Sequence, residues 1–493
     1  MEADGFDVLM LSVGSDLPYF CGYEAMPLER ITMLVVPRDG DATLVVPGLE
    51  AARVTERPDV FGVTCWGETE DPIRIIADLA GPAANVAIGD HMWAGFLVDL
   101  TNQMPTTAFR RASTITSPIR QVKDAEEVER LRLAASAVDR IAARLQSGEI
   151  PLVGQTEAQV SAELGRQIVE EGHARVNFAI VASGPNAASP HHHAGDRVIQ
   201  AGENVLCDFG GTMIGEDGVG YCSDLTRNVW TDDRPDREYL EAYAVLHEAQ
   251  AAAVRAATVG TPAEDVDRAE RQRIVDAGYG SYFIHRTGHG IGVEEHEDPY
   301  IVEGNAQPLV HGNAFSIEPG IYIDGKWGMR LEDIVVADDA GPDSLNTVDH
   351  HLAVGAGDVR REVGVDRLLD LDLRLGPSLS GLCFILASGS EFLLAVEHPL
   401  RGLGRSMRSD GDGRRTGLSR EPSGERRVIG VAVGHEDRAH PLRPNHAPER
   451  VAVAGEIGAG IDDHDVAVPD DVGAGSVVGE LRRVLGDHPS DHR

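Results

Sequence analysis

Lysine is almost missing: Lys123 and Lys326 are the only two in 493 residues. Lysine and arginine together number 44 against 80 aspartates and glutamates, which leaves a formal charge of −36. A nucleic acid partner needs a basic surface to displace counterions from phosphate, so this balance argues against one. An acidic surface favours solubility instead. Cysteine is also sparse. Cys21, Cys65, Cys207, Cys222 and Cys383 are odd in number and scattered, with no CxxC pair. That argues against a disulfide framework and fits a reducing compartment. Uninterrupted apolar runs of about 18 residues, the length of a membrane span, do not occur. The nearest, "GLCFILASGSEFLLAV", is broken by Ser388, Ser390 and Glu391. The first residues lack the basic-then-apolar order of a secretory signal. The expectation is a cytoplasmic protein with no nucleic acid and no membrane partner.

What is present is enough chain for two or three domains with real cores. Up to about residue 122, "DVLMLS" and "NVAIGD" read as buried strands, and "ITMLVVP" and "ATLVVPG" flank "RDGD" as a hairpin. No chemistry is assigned to this part. Val128, Leu131, Ala135, Val138, Ala142 and Leu145 then mark an amphipathic helix that stops at Gly148 and Pro151. Thr156 and Gln159 make a capping-box pattern for a second helix. Strand-like runs follow in "VNFAIVAS", "ENVLCDFGG" and "YCSDLTRNVW", two more helices cover about 235 to 278, and "NAFSIEPGIYI" and "GMRLEDIVVAD" alternate like strands. From 357 onward the chain has no Lys, Tyr, Trp or Gln and is dense in Gly, Arg, Asp and Val. The expected division is 1–122, 123–356, and a tail, 357–493, that is irregular or disordered, or foreign to the fold that precedes it.

The segment "FIHRTGHGIGVEEHEDP" holds His285, His289 and His296 among Gly288, Gly290 and Gly292. Glycines at that density make a zinc-binding helix improbable and suggest a backbone that approaches something closely. Four carboxylates lie inside apolar runs nearby: Asp208 in "NVLCDFGG", Asp224 in "YCSDLTR", Glu318 in "FSIEPGIYI" and Glu332 in "MRLEDIVV". A buried carboxylate must be protonated, paired or bound to a cation. Four of them balance two divalent cations, and one imidazole completes an oxygen-rich donor set suited to Mn²⁺, Co²⁺, Fe²⁺ or Zn²⁺. Two such cations activate water toward a carbonyl. Cys207 and Cys222 read as core cysteines rather than ligands. A nucleophilic triad of Ser223, His285 and Asp208 lacks the GxSxG elbow.

At these residues the chain resembles the creatinase/prolidase/methionine-aminopeptidase family, the pita-bread metallopeptidases, over residues 1 to about 355. The resemblance implies an α/β creatinase-like N-terminal domain followed by an α+β pita-bread catalytic domain, of the Xaa-Pro aminopeptidase or Xaa-Pro dipeptidase (prolidase) branch. It implies Asp208, Asp224, His289, Glu318 and Glu332 as ligands of two metal ions, Mn²⁺ first among the candidates. It implies His191, His285 and His296 at the substrate or the developing oxyanion, with Glu318 as proton carrier and Arg330 orienting acidic groups or substrate. His192 and His193 are expected to face solvent. The implied partners are a proline-containing peptide and a second copy of the chain, as a homodimer. The alternatives are a metal-free amidinohydrolase of the creatinase kind and a non-catalytic binding module; a methionine aminopeptidase fits poorly with the N-terminal domain. One departure carries a risk. Asp208 and Asp224 are sixteen residues apart, further than is usual in the family. The extra "IGEDGVG" either lengthens a hairpin tip or shifts the register and turns Asp224 to the wrong face.

Overall fold

The computed structural model describes residues 1–355 and, in backbone, three short strands beyond them. The first strand, β1 (Val8–Leu11), shows why an unbroken apolar run suits its place. Val8 and Met10 enter one core and Leu9 and Leu11 another, so the strand is covered on both faces. Around it come α1 (Asp16–Cys21), β2 (Met33–Pro37), β3 (Ala42–Pro47), β4 (Phe61–Trp66), α2 (Pro72–Ala80), β5 (Asn85–Ile88), α3 (Ala94–Gln103), β6 (Ala108–Arg111) and α4 (Ser113–Arg120). The strands form one mixed sheet in the order β4-β3-β2-β1-β5-β6. β2 and β3 make the expected hairpin, with Met33 opposite Val45.

Next, α5 (Ala125–Ser147) starts at a capping box of Asp124 and Glu127 and ends at Gly148, whose φ of 80° is the left-handed stop that glycine takes without strain. The predicted capping box of Thr156 and Gln159 opens α6 (Glu157–Glu170). These helices cover the antiparallel strands β7 (Arg175–Ser183), β8 (Asn204–Ile214), β9 (Gly220–Cys222) and β10 (Leu225–Trp230). A second helix pair, α7 (Arg237–Ala256) and α8 (Ala263–Asp276), backs a second set of strands: β11 (Gly288–Gly290), β12 (Glu297–Ile301), β13 (Ala314–Ile317), the hairpin β14 (Gly320–Ile323) and β15 (Trp327–Arg330), β16 (Asp333–Val336) and β17 (Asp343–Ser344). Finally β18 (Ala353–Val354) returns to pair with β10. This part is thus two helix-backed five-stranded sheets, antiparallel but for the β10–β18 pair, with β14 and β15 as a separate hairpin. A single bridge between Thr226 and Glu332 joins them.

The long hairpin keeps its register. Thr212 faces Cys222 on one side of the tip, and Asp208 faces Thr226 further down, so the extra residues sit in the tip alone. That tip leans on the N-terminal sheet's side of the molecule. Arg130 holds Asp217 at 2.8 Å, and a Cβ on Gly218 would lie 2.4 Å from the carbonyl oxygen of Gly22. A second tie is ionic. Buried Arg120 reaches Asp16, Glu294 and Glu297, and the amine of Lys123, its side chain 1% exposed, reaches Glu297 at 2.5 Å. Removing one partner from such a buried group typically costs about 3–5 kcal/mol, because the other charge is left stranded.

By itself, the second unit, 373–493, contains β19 (Cys383–Ser388), β20 (Glu391–Val396) and β21 (Ile429–Gly430), paired antiparallel. The rest of the segment on which the expectation of a disordered tail falls lies outside the described residues. Among the described residues no helix is long and apolar enough to cross a membrane.

Candidate metal centre

The two sheets meet at the four carboxylates and the imidazole. Asp208 lies within β8, on the face it shares with Asp224 in the loop between β9 and β10. His289 lies in β11, Glu318 directly after β13, and Glu332 directly before β16. The strand runs read from sequence are therefore interrupted at three of the four acids. The backbone turns aside there to bring each carboxylate to the seam. Glycine allows the close packing this requires. A Cβ on Gly288 would sit 1.8 Å from the carbonyl oxygen of Ser316, one on Gly290 2.3 Å from that of Asp298, and one on Gly210 2.0 Å from that of Ser223. No other side chain fits. This is why glycines alternate around His289.

Asp224, His289 and Glu332 each present a ligand atom within 4.8 Å of the others, and all three are buried. His289 Nε2 lies 3.7 Å from Asp224 and 3.2 Å from Glu318. Its Nδ1 is 3.1 Å from the carbonyl of Gly290. Nδ1–H donates there, so Nε2 keeps its lone pair toward the carboxylates, the arrangement of a metal-ligating histidine. Asp208 is held on one oxygen by Arg330. Its other oxygen, Oδ1, is buried without any hydrogen-bond partner. An orphaned carboxylate oxygen facing other acids is costly unless a cation accompanies it. The donor set, four carboxylates and one imidazole, therefore fits hard or borderline divalent metals.

The electrostatics agree. Burial, then the charges of Glu332, Asp208 and Glu318, push Asp224 well above the usual carboxylate range. Burial and the charges of Glu318 and Asp208 do the same to Glu332. Asp208 is raised by burial, opposed by Arg330. Glu318 goes the other way: burial would raise it, but its contacts with His289, His285 and Arg330 bring it down to about 2. Without cations, such a group can exist only by taking up protons.

Around these five stand the substrate-side candidates. His296 is exposed at the mouth, its ring 4.0 Å from that of His289. Although its outer edge is exposed, crowding of the ring by neighbouring atoms of the site strips water from its charged form, and with the charges of His289 and Arg286 beside it this lowers it to about 4, so it is neutral at physiological pH. His285 is half-buried, 3.0 Å from the hydroxyl of Tyr322, and lowered chiefly by burial. His191 is exposed, next to Pro190, whose carbonyl accepts from Arg330 at 3.4 Å. Arg330 is buried and also donates to the hydroxyls of Tyr322 at 2.9 Å and Thr226 at 3.0 Å. His296 opens on a cleft of about 490 Å³, walled opposite by Asp90, Arg111 and Arg120 of the N-terminal part. A smaller cavity, of about 330 Å³, lies by the hairpin tip and touches none of the five.

One expectation is corrected. His192 does not face solvent. It is half-buried and its Nε2 lies 2.8 Å from Glu157, a carboxylate that also accepts from Ser183 and Asn186; of these two histidines, His193 alone is exposed. The triad that the missing elbow argued against does not form: Ser223 is not arranged with His285 and Asp208. Its hydroxyl lies 2.9 Å from Nε2 of buried His173, on the opposite side of the strand from Asp224. The cysteines sit in the core as read: Cys207 packs with Val138, Ile141 and Leu164, and burial pushes the Cys222 thiol up to about 12.

Sequence reasoning missed three supporting groups. Thr226 donates to Glu332 at 2.6 Å. It lies two residues after Asp224, on the same face by strand alternation, and that signal was available. Tyr322 links His285 to Arg330 with no local mark in "GIYI". Ser316 binds the backbone N–H of His289 at 3.0 Å and donates to Glu318 at 3.1 Å.

Comparison with known proteins places these features in a family. The model for metallopeptidase family M24 matches residues 129–339, and that for the creatinase/prolidase N-terminal domain matches residues 1–122. The probable dipeptidase PepE of Mycobacterium tuberculosis is 41% identical over 354 residues, covering 71% of this chain and 92% of the relative. A Xaa-Pro dipeptidase of Lactobacillus helveticus is 36% identical over 362 residues, 71% of this chain and 95% of the relative. The crystal structure of dipeptidase PepE from Mycobacterium ulcerans superposes with a TM-score of 0.66 at 43% identity, over 72% of this chain and 94% of that one. A creatinase-type N-terminal domain, a pita-bread catalytic part and a carboxylate-rich centre on its seam make this chain a peptidase of metallopeptidase family M24.

Proposed function

We propose that the protein is a dinuclear-metal peptidase that cleaves the Xaa-Pro bond of dipeptides or at the N-terminus of longer peptides. The observation that carries this reading is the orphaned Oδ1 of Asp208 among buried Asp224 and Glu332, half-buried Glu318 and the Nε2 of His289. The similarity to proteins described as Xaa-Pro dipeptidase and prolidase supports the substrate class. Asp208, Asp224, His289, Glu318 and Glu332 would hold two divalent ions, Mn²⁺ first among the candidates. A bound pair supplies Lewis acidity and a water activated near neutral pH.

The chain's own groups do the rest. Glu318, kept ionised by its neighbours, accepts a proton and delivers it to the leaving proline nitrogen. Breaking the C–N bond would expel an amide anion unless a proton arrives at nitrogen; with it, proline departs as a neutral secondary amine. His296, lowered to about 4 and so uncharged at neutral pH, offers a ring N–H to the oxygen that gains charge. His285 and His191 line the substrate side. Arg330 orients Asp208 and Tyr322. We further propose the division into 1–122 and 123–356, a homodimer and a cytoplasmic location; light scattering of the purified chain tests the dimer.

The test is one assay panel: Ala-Pro, Ala-Pro-Ala and Met-Gly, each with chelator and with added Mn²⁺. Metal-dependent cleavage of a proline substrate and none of Met-Gly is expected. Activity that survives thorough chelation would instead favour the amidinohydrolase reading. Failure to bind about two equivalents of Mn²⁺ would favour a binding module.

A further inference from the structure

After β7 the chain makes a short 3₁₀ turn, Gly184–Ala188, and then reaches Pro190 and the three consecutive histidines. Beneath this segment lies Glu157, the first residue of α6, fully buried. Its Oε1 accepts from the backbone N–H of Ser183 at 2.8 Å, the Ser183 hydroxyl at 2.7 Å and the Asn186 amide at 3.1 Å. Its Oε2 accepts from Asn186 at 3.1 Å and from Nε2–H of His192 at 2.8 Å. A carboxylate this deep is costly unless donors surround it. Burial would raise it, but Ser183, His192 and Asn186 bring it below its ordinary value. Its support is itself fixed: Arg197 donates to the Ser183 hydroxyl at 2.6 Å and pairs with Glu203 at 2.6 Å.

Among the described residues, His192 is the one side chain of 189–193 that is hydrogen-bonded to the body of the protein. The backbone there has local turn bonds, from Ser189 N to Asn186 O at 3.0 Å and from His192 N to Ser189 O at 3.2 Å, and the 3.4 Å contact of Arg330 with the Pro190 carbonyl. His191, one residue before His192, is exposed. It stands by the site: after burial, His289 and Arg286, its charge also acts on the ring of His296. The segment therefore presents one histidine to the mouth of the metal centre and anchors itself by the next.

We propose that Glu157 and His192 are positioning residues for His191: the bond between buried carboxylate and imidazole clamps the segment so that His191 is held at the substrate side of the centre. The inference rests on the reading of the protein as a peptidase with His191 facing its substrate. Without the clamp the segment keeps only its own turn and the long contact from Arg330. A misplacement of about 1 Å in a group aligned with a reacting bond can cost about 100-fold in rate.

The experiment is a double-mutant cycle on the full chain, read by cleavage of Ala-Pro, by Mn²⁺ titration and by hydrogen exchange. His192→Ala is expected to lower kcat/KM about tenfold or more. His192→Gln, which can still donate to Glu157, should recover most of that loss. In a His191→Ala background, adding His192→Ala should change kcat/KM by less than about twofold, because its effect passes through His191. Mn²⁺ affinity should stay within about twofold throughout, which a general disturbance of the centre would not allow. Amides of 189–193 should exchange about tenfold faster in His192→Ala, with those of β8 unchanged. Effects of the two histidines that add in full, a kcat/KM unchanged in His192→Ala, a loss of Mn²⁺ affinity, or equal exchange in the folded alanine variant each overturns the proposal. A wild type that cleaves no proline substrate sinks the function reading instead, and the exchange comparison then decides whether the clamp exists.

Discussion

Replacing Thr226 by valine changes one atom's chemistry and little of its shape. Valine keeps the branching that β10 accommodates, and the backbone bond from Glu332 N to the Thr226 carbonyl, at 3.3 Å, stays possible. What is lost is a hydroxyl that donates to Glu332 at 2.6 Å and accepts from Arg330 at 3.0 Å. A hydrogen bond to a charged acceptor is worth about 1.5–3 kcal/mol. Removing a partner of a ligating carboxylate typically costs about 10–100-fold in metal affinity, or about 1.4–2.7 kcal/mol. The two figures agree, so Thr226→Val should bind Mn²⁺ about 10–100-fold more weakly by calorimetric titration of the metal-stripped protein. Thr226→Ser, which restores the hydroxyl, should stay close to wild type. A valine variant that is folded by circular dichroism and binds within twofold of wild type would refute the argument that this hydroxyl orients Glu332.

Gly288→Ala would drive a methyl to 1.8 Å from the carbonyl oxygen of Ser316, so β11 must move away from β13; peptidase activity should be lost, with a melting temperature several degrees lower, whereas an alanine at Gly95, which has open space around it and no left-handed backbone, should lower neither. Ser223→Ala should keep near-normal turnover, since Ser223 faces His173, and lose about 1 kcal/mol of stability in urea titration; a collapse of turnover without unfolding would revive a serine nucleophile. Glu270 on α8 is fully buried with neither carboxylate oxygen hydrogen-bonded, and burial raises it well above the usual range. Its folded pKa exceeds its unfolded one, so the folded state holds a proton that the unfolded state releases, and this group's contribution to stability falls as pH rises above about 4. Glu270→Gln should therefore unfold at higher denaturant than wild type near pH 8 and closer to it near pH 5; a gap that does not widen with pH would contradict the assignment.

Much of this was legible in local pattern. The capping box at Thr156 is a four-residue signal that holds wherever the helix packs, and sequence reasoning missed the box of the same form at Asp124. The apolar surroundings of Asp208, Asp224 and Glu332 marked them as buried without reference to any partner, and those of Glu318 marked it as at least half-buried. The breaks in the strands were not legible. They depend on the bridge of Thr226 to Glu332, residues far apart in the chain whose meeting no window of sequence contains. The register of the long hairpin is intermediate: both readings obeyed strand alternation, and contact of the tip with Gly22 and Arg130, again long-range, accompanies the one observed. His192 looked like part of a surface run because its partner, Glu157, lies on another element. Glu270 could have been found. Ala263, Val266, Glu270 and Ile274 share one face of α8 by helical spacing, so an acid stands where the stripe is apolar.

The pairing of Lys123 with Glu297 has a practical side. Of the chain's two lysines, that one is sealed inside an ion cluster, while Lys326, in the turn between β14 and β15, is 53% exposed and, among the described residues, pairs with surface Glu238 alone. An amine-reactive dye or tether meets, apart from the chain's amino terminus, one accessible lysine. The protein offers a nearly unique attachment point, on the β14–β15 hairpin, without any engineering.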